Sequence, residues 1–220
     1  MLLFFDTETT GVVNPRLPED HHDQPRLVQL AAMLVDSRGT TMGQMCAIVR
    51  PQGFTIPERV TAIHGITQDR SLQYGADIRS VLSMFGSFCR LASVAVGHNV
   101  AFDVAVMRGE YKRAGIKDPL VPLNRYCTMR VAAPIVGARD GRGRIKNPTL
   151  AEMHRFFHGE EIEGAHDAWM DTTICRRCFD ELQRRVRARD EEQLDAFRGM
   201  APQGMARRKG EHPELDALLE

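Results

Sequence analysis

Two acidic residues stand one residue apart where an apolar run ends, in the stretch FFDTETTG at residues 4–11. Alternate side chains of a β-strand point to the same face, so Asp6 and Glu8 can lie side by side. Neighbouring carboxylates repel each other, and a bound cation such as Mg²⁺ removes that repulsion. The alternative is a strand that ends in a polar turn, with Thr9 or Thr10 capping a helix. The pair alone leaves both interpretations open.

A third acidic residue follows another short apolar run, in the stretch GHNVAFD at residues 97–103. Asp103 is expected in the first turn of a helix, where the helix dipole favours a negative charge. Asn99 could cap that helix through its side chain. Taken alone, the stretch is therefore also explained by an ordinary helix start.

A fourth acidic residue ends the stretch HDAWMD at residues 166–171, and here helical geometry distinguishes the alternatives. Apolar residues recur at successive turns after Asp171 and form one stripe, on which Asp171 itself lies. They are Cys175, Cys178, Leu182 and Val186. An acid on a buried stripe needs a partner, and a metal ion is one. His166 precedes the helix at a different angle, which leaves it free to act on a group near the metal.

The elements that must position these residues follow from hydrophobic periodicity and turn signals. Strands are predicted at 2–5, 26–36, 45–50 and 93–96, with a short one at 126–128. Helices are predicted at 77–92, 102–114, 149–157 and 168–189. The segment 12–25 is rich in Pro, Asp and His and is predicted to be a loop. Strands first, then alternating helices and strands, predict an α/β sheet flanked by helices.

The three acidic stretches together resemble the three motifs of the DEDDh 3′–5′ exonucleases, and among them the epsilon proofreading subunits of bacterial replicative DNA polymerases. The residues that carry the resemblance are Asp6, Glu8, Asp103, His166 and Asp171. It runs from Met1 to about Leu182 and includes the connecting pieces VTAIHGIT and NPTLAEM. The resemblance implies a ribonuclease-H-like fold with a mixed five-stranded sheet flanked by helices. It also implies that the acids gather at one end of the central strands.

The resemblance further implies two-metal hydrolysis, with two Mg²⁺ or Mn²⁺ ions held by oxygen ligands. Asp6, Glu8 and Asp171 would hold the first ion, and Asp6 would bridge to a second that Asp103 supports. His166 would be the general base toward the attacking water. The expected product is a nucleoside 5′-monophosphate released from a 3′ end.

The substrate contacts are likewise taken from the resemblance. Thr9, His64, Asn99 and Phe102 would surround the terminal nucleotide. Stacking of a base on an aromatic or apolar side chain tolerates any base, so weak sequence preference is expected. The glycine-rich basic stretch 139–146 is predicted to be a mobile loop that either follows substrate phosphates or is simply solvated.

Several other polar groups have simpler explanations. His21, His22 and Asp23 form a Pro-flanked stretch, interpreted as a solvated loop. His154 and His158 share one helix face without matching acids. The pair Cys175 and Cys178 has no second cysteine pair, which argues against a zinc site. Trp169 is interpreted as a packing residue beside the site.

Composition limits the partners and the compartment. The 29 basic and 29 acidic residues of the 220-residue chain cancel, although bases prevail from Arg176 to Lys209. This asymmetry permits contact with a polyanion without requiring it. Five irregularly spaced cysteines indicate a reducing compartment, and the short apolar start predicts neither a signal peptide nor a membrane span. A cytoplasmic protein without membrane contact is expected.

Residues 1–186 are predicted to form the exonuclease domain, and 187–220 a charged helix end followed by a flexible tail, with disorder expected at 199–213. The stretch QLDAF, from Gln193 to Phe197, resembles the peptide by which polymerase-associated proteins dock on the bacterial sliding clamp. The end of a charged helix explains the same residues. A polymerase subunit is a further expected partner.

Three functions stay open at the sequence level. The first is trimming of DNA 3′ ends in proofreading or repair, with single-stranded DNA preferred. The second keeps the chemistry but acts on RNA, as ribonuclease T and oligoribonuclease do. The third is a catalytically silent nucleic-acid-binding or polymerase-scaffolding module, which the presence of all four acids and the histidine disfavours.

Overall fold

The computed structural model describes residues 1–162 and 166–200, and of 189–200 it describes the backbone only. Five strands and seven helices are assigned within these ranges. The strands are β1 (Leu2–Thr9), β2 (Leu27–Val35), β3 (Thr41–Ile48), β4 (Val94–Gly97) and β5 (Asn124–Cys127). The helices are α1 (Glu58–His64), α2 (Gln68–Tyr74), α3 (Ile78–Leu91), α4 (Val100–Arg113), α5 (Thr128–Val136), α6 (Leu150–His158) and α7 (Ala168–Met200).

The five strands form one mixed sheet in the order β3-β2-β1-β4-β5. The first three strands are antiparallel neighbours, whereas β4 and β5 join β1 in parallel pairing. The carboxyl ends of β1 and β4 therefore meet at the same edge of the sheet. This is the mixed five-stranded architecture that the family resemblance implied, and it is confirmed.

Each face of the sheet carries its own hydrophobic core. Leu3 and Phe5 of β1 point to the face covered by α3 and α4, where they pack with Phe85 and Met107. Phe4 points to the other face and packs with residues of α7. The side chains of β1 thus alternate between the two cores. Asp6 and Glu8 follow Phe4 at every second position and lie on the α7 face.

The predicted helices α3, α4, α6 and α7 are confirmed with small changes in their bounds. Asp77 caps α3 by accepting from the amides of Arg79 and Ser80. Thr149 and Glu152 form a capping box at α6. Helix α7 extends to Met200 rather than 189. Its added residues contain no glycine or proline before Gly199, so nothing in the sequence stops it earlier.

Helices α1, α2 and α5 were not predicted from the sequence. The first two have seven residues each, too few to show a clear helical period. Helix α5 contains Pro134 and follows β5 directly, with no side-chain cap. Strand β3 begins at Thr41 rather than at residue 45, because its first half is largely exposed and lacks an apolar signal.

The chain divides into a compact unit from Met1 to Leu182 and a second unit from Gln183 onward. The predicted boundary at 186 stays a prediction. The predicted flexible tail lies almost wholly outside the described residues, and Gln193 to Phe197 lie in α7, where only the backbone is described. Among the described residues, no helix is long and apolar enough to cross a membrane.

Candidate active site

Strand β1 presents two carboxylates on its α7 face. Asp6 and Glu8 lie opposite Ala31 and Gln29 of β2, and the pairing becomes irregular directly after Glu8. Glu8 is 9% exposed. The predicted side-by-side arrangement follows from strand alternation, and it sets two acids at the sheet edge where β1 ends.

Helix α4 brings Asp103 to the same edge from the other face of the sheet. Gly97 ends β4 so close to the Phe5 carbonyl that an added Cβ would lie 3.3 Å from that oxygen. Asn99 turns the chain in the left-handed region, with φ of 68°, and α4 begins at the next residue. Asp103, 3% exposed, accepts from the Thr7 amide at 3.1 Å and from the Thr7 hydroxyl at 2.7 Å. Thr7 thus ties α4 to the strand that carries the other acids.

Helix α7 contributes Asp171 from its first turn. Cys175, Cys178 and Leu182, which share its stripe, are buried. The stripe packs on the sheet, where Cys175 contacts the cluster around Phe4. The helical periodicity of the sequence therefore oriented Asp171 correctly toward the sheet.

His166 lies beside the acids, in a strained backbone conformation. Its φ is 71°, and its backbone amide donates to Oδ2 of Asp171 at 3.3 Å. One ring nitrogen of His166 and one carboxylate oxygen each from Glu8 and Asp171 all lie within 4.8 Å of one another. A non-glycine residue with positive φ is uncommon and clusters at functional sites.

The buried acids hold their protons tightly. Burial, reinforced by Asp103, Asp171 and Glu8, raises the pKa of Asp6 well above its usual range. Burial and then Asp171 raise the pKa of Glu8 to about 8, and burial raises that of Asp103 to about 7. Burial also raises the pKa of Asp171. Each acid is thus disfavoured as an anion while no cation accompanies it.

Two residues that the sequence analysis missed anchor the start of α7. Gln29, opposite Glu8, donates from Nε2 to Asp167 at 3.1 Å and accepts through Oε1 from the Ala168 amide at 3.0 Å. Asp167 also accepts from the amides of Trp169 and Met170. These bonds tie the helix that carries Asp171 to β2. A glutamine within the apolar run LVQLAAMLV was the available signal.

The four residues assigned to the terminal nucleotide lie on two sides of the acids. Asn99 is exposed and Phe102 half-buried at the start of α4, close in sequence to Asp103. Asn99 makes no side-chain cap bond, contrary to the capping alternative. Thr9 is buried, and its hydroxyl donates to the Gly11 carbonyl at 2.6 Å.

His64, at the end of α1, is 8% exposed. Its Nδ1 accepts from the Ile66 amide at 3.1 Å. Its Nε2 has no hydrogen-bond partner of good geometry among the described residues, although the backbone of Thr9 lies near the ring. Burial lowers the pKa of His64, which favours the neutral ring. Because Nδ1 accepts, Nε2 carries the proton, and this atom is buried beside the Thr9 backbone.

The basic stretch 139–146 forms a small hairpin, and two of its four basic side chains are paired with acids. Arg139 and Ile145 form a bridge, and Asp140 accepts from the amides of Arg142 and Arg144. Arg144 also pairs with Asp140 at 2.8 Å, and Lys146 pairs with Glu152 at 2.7 Å. This internal pairing favours the solvated interpretation over a phosphate track.

The remaining polar groups of the sequence analysis lie elsewhere. His21, His22 and Asp23 are close enough to hold an ion, but His22 and Asp23 are largely solvent-exposed. Cys178 is buried in α7, and burial raises its pKa to about 12, which disfavours a thiolate ligand. His154 is buried and approaches the Glu160 carbonyl. Trp169 packs against the cluster around Phe4, as predicted.

The arrangement corresponds to a known class of enzymes. The profile of the family described as Exonuclease (RNase_T) matches residues 3–179, and the chain belongs to this family. Enzymes of the family depend on divalent metal ions.

Two DNA polymerase III proteins are among the relatives. The epsilon subunit of Buchnera aphidicola is 23% identical over 80% of this chain and 70% of its own length. The PolC-type enzyme of Lactococcus lactis is 33% identical over 51% of this chain and 6% of its own length.

Solved structures share the fold. Escherichia coli exonuclease I in complex with a dT13 oligonucleotide aligns with a TM-score of 0.69 at 22% identity, over 89% of this chain and 42% of that one. A zinc-bound form of the exonuclease I complex with single-stranded DNA aligns with a TM-score of 0.67. At this identity the likeness establishes the ribonuclease-H-like fold alone. The chain spans less than half of exonuclease I and a small fraction of the PolC-type polymerase.

Proposed function

We propose that this protein is a DEDDh-type 3′–5′ exonuclease that releases nucleoside 5′-monophosphates from the 3′ ends of DNA. The supporting observation is the convergence of Asp6, Glu8, Asp103 and Asp171. In addition to burial, the charges of the other three raise the pKa of Asp6, and those of Asp171 and Asp103 raise the pKa of Glu8. His166 stands at the rim of the same cluster. The silent-module alternative is disfavoured, because a cluster of four carboxylates, of which Glu8 and Asp103 are buried, is unfavourable without a cation.

The site suits divalent cations by the chemistry of its donors. Its carboxylates offer only oxygen, which Mg²⁺ and Mn²⁺ prefer. Asp6, Glu8 and Asp171 would hold the first ion, and Asp6 with Asp103 the second. Two such ions supply charge stabilisation for the attacking and leaving oxygens of an in-line displacement at phosphorus.

The protein's own groups have distinct roles in this proposal. His166 takes the proton of the attacking water, since its ring is solvent-exposed and borders the cluster. Thr7 orients Asp103, and the Gln29–Asp167 pair holds α7 in register with β2. His64, Thr9, Asn99 and Phe102 surround the terminal nucleotide in this proposal.

Single-stranded DNA is the proposed substrate. Support comes from the relatives named as DNA polymerase III components and from the fold shared with exonuclease I bound to an oligonucleotide. A replication or repair role would place the protein in the cytoplasm, with a polymerase subunit as partner. Docking of Gln193 to Phe197 on a sliding clamp stays a prediction. If the Gln193→Ala and Phe197→Ala variant is retained on the clamp as well as the unchanged protein is, the docking prediction is refuted.

The test is a pair of labelled oligomers of one sequence, one DNA and one RNA, each labelled at the 5′ end. With Mg²⁺ or Mn²⁺ we expect a ladder of products shortened from the 3′ end and free nucleoside 5′-monophosphate. A chelator should stop the reaction. Faster decay of the RNA would move the assignment to an RNA 3′-end exonuclease. No cleavage of either oligomer with any divalent ion would refute the proposal.

A further inference from the structure

A second concave surface lies next to the carboxylates and has no role in the proposed chemistry. It is a groove of about 710 Å³ on the α7 side of the sheet's outer strand β3. Gln44, Cys46 and Ile48 form its floor. Arg70 and Tyr74 of α2 form one wall, and Trp169 of α7 lines the groove as well.

The groove is continuous with the active site. Gln29 and Asp167 line it, and Gln29 lies directly opposite Glu8 in the sheet. Asp167 is close enough to Asp6 and Glu8 that its charge contributes to the raised pKa of both. A nucleic-acid strand that runs from the carboxylates across β2 therefore enters the groove directly, because no helix or strand lies between them.

The walls offer flat rings and a cation. Tyr74 is 70% exposed, which is unusual for a large aromatic side chain. Arg70 is exposed, and no ion pair is assigned to it among the residues that the structure describes. Exposed aromatic rings next to an arginine are the elements with which proteins bind single-stranded nucleic acid, by base stacking and phosphate contact.

The floor argues against an apolar partner. Gln44 and Cys46 are exposed, and the Gln29 amide at the inner end is already committed to Asp167 and Ala168. An amphipathic helix of a partner would need an apolar floor to bury its stripe. The basic hairpin at 139–146 is the competing strand path, but Arg144 and Lys146 are paired with acids and Arg139 donates to the Gly143 carbonyl. Among the described residues of the hairpin, only Arg142 has a basic side chain without an assigned partner, as Arg70 does in the groove.

We propose that the groove between α2 and the start of α7 binds the single-stranded DNA on the 5′ side of the scissile phosphate. A base stacks on Tyr74, and Arg70 contacts a phosphate. This inference rests on the proposed function, because it takes the terminal nucleotide to lie against His64 and Thr9.

The test separates the groove from the chemistry. The variants are Arg70→Ala, Tyr74→Ala and their combination, and the control is Arg125→Ala, an exposed arginine on β5 at the opposite edge of the sheet. The substrates are an oligothymidylate of about twelve nucleotides and the p-nitrophenyl ester of thymidine 5′-monophosphate, which is too small to reach the groove. Binding of the labelled oligomer is measured by anisotropy in an Asp6→Asn background, where cleavage is not needed.

We expect the double variant to weaken oligomer binding and kcat/KM on the oligomer about tenfold or more, with activity on the ester unchanged. Arg125→Ala should change neither. Equal oligomer binding by the double variant and the Asp6→Asn parent would overturn the proposal and leave the groove to a protein partner. An equal loss on both substrates would also overturn it, by showing a structural effect. If the double variant weakens oligomer binding but the protein with Asp6 intact cleaves neither substrate, the proposed function fails while the groove stands.

Discussion

The protein has buried acidic side chains in two places, and only one of the two is balanced by basic side chains. Glu110 of α4, 2% exposed, accepts from Arg26 Nε at 2.8 Å, from Arg113 Nη1 at 3.1 Å and from the Leu27 amide at 3.1 Å. Its charge is balanced by two guanidinium groups, and these contacts tie α4 to the start of β2. This is how a fold stabilises a buried acid with a structural role.

The carboxylate cluster has no such balance. Within residues 1–162 and 166–188, no arginine or lysine forms an ion pair with Asp6, Glu8, Asp103 or Asp171. Asp103 accepts from Thr7, which supplies hydrogen bonds but no charge. The same chain that supplies two arginines to Glu110 leaves four acids uncompensated. The difference indicates that their compensation comes from ions in solution, and each prediction below tests it.

Removal of one cluster acid should have the largest effect. We expect Asp6→Asn to lower kcat at least about 10³-fold, because an amide is a neutral and weaker ligand for the ions that stabilise the transition state. The measurement is the rate of mononucleotide release from single-stranded DNA. The matched control is Asp69→Asn, which removes an exposed acid of α2. If Asp6→Asn retained activity, the conclusion that ions compensate the carboxylate cluster would be wrong.

Removal of the balanced acid should instead cost stability. Glu110→Gln leaves two partly buried arginines without their shared counter-charge, and we expect the free energy of unfolding to fall by about 3 kcal/mol. Urea denaturation measures it, at a temperature where the variant is folded. Activity per folded molecule should change little. A stable but inactive Glu110→Gln would assign Glu110 to the site instead.

Stability should depend on pH and on metal. The folded pKa of Glu8, about 8, and of Asp103, about 7, lie above those of the unfolded chain, so the folded state binds more protons at intermediate pH. The free energy of unfolding of the metal-free protein should then fall by several kcal/mol as pH rises from about 5 to about 8.5, because each acid contributes roughly 1.4 kcal/mol per pKa unit.

Mg²⁺ should recover much of this loss at the higher pH, because it binds the folded state only. Glu8→Gln should flatten the pH dependence, because it removes the group whose folded pKa is about 8. Thermal unfolding in chelator and in Mg²⁺ measures both effects. A metal-free protein that is most stable at alkaline pH would contradict the assigned cluster.

The Gln29–Asp167 contact should contribute a smaller amount. Gln29→Ala removes the bonds that tie the start of α7 to β2, so Asp171 and His166 lose their fixed position relative to Glu8. We expect kcat to fall about tenfold with KM nearly unchanged. Gln52→Ala, at an exposed glutamine of a loop, is the control. A change confined to KM would show that the contact positions substrate instead of α7.

The basic hairpin should have the smallest effect. Combined Arg142→Ala and Arg144→Ala should change the slope of log KM against log salt by no more than about one, since Asp140 already neutralises Arg144. The measurement is KM for single-stranded DNA over a series of salt concentrations. A larger decrease in the slope would restore the hairpin as a phosphate track and weaken the case for the groove beside Arg70.

Local periodicity in the sequence determined much of the site. Strand alternation set Asp6 and Glu8 on one face, and the apolar stripe of α7 set Asp171 toward the sheet. The family resemblance supplied the fold and the five residues. The sequence did not predict Thr7, Gln29 or Asp167 as partners of the site, and it missed α1 and α2, which carry His64 and one wall of the groove.

Tertiary structure decided which acids meet and which are balanced. Asp103 joins Asp6 only because β4 pairs in parallel with β1, and Glu110 meets Arg26 only because α4 packs against the start of β2. Periodicity is a property of one backbone segment, so it can be read along the chain. Whether a buried carboxylate finds an arginine or is left to bind an ion depends on contacts between segments about eighty or more residues apart, which no local pattern encodes.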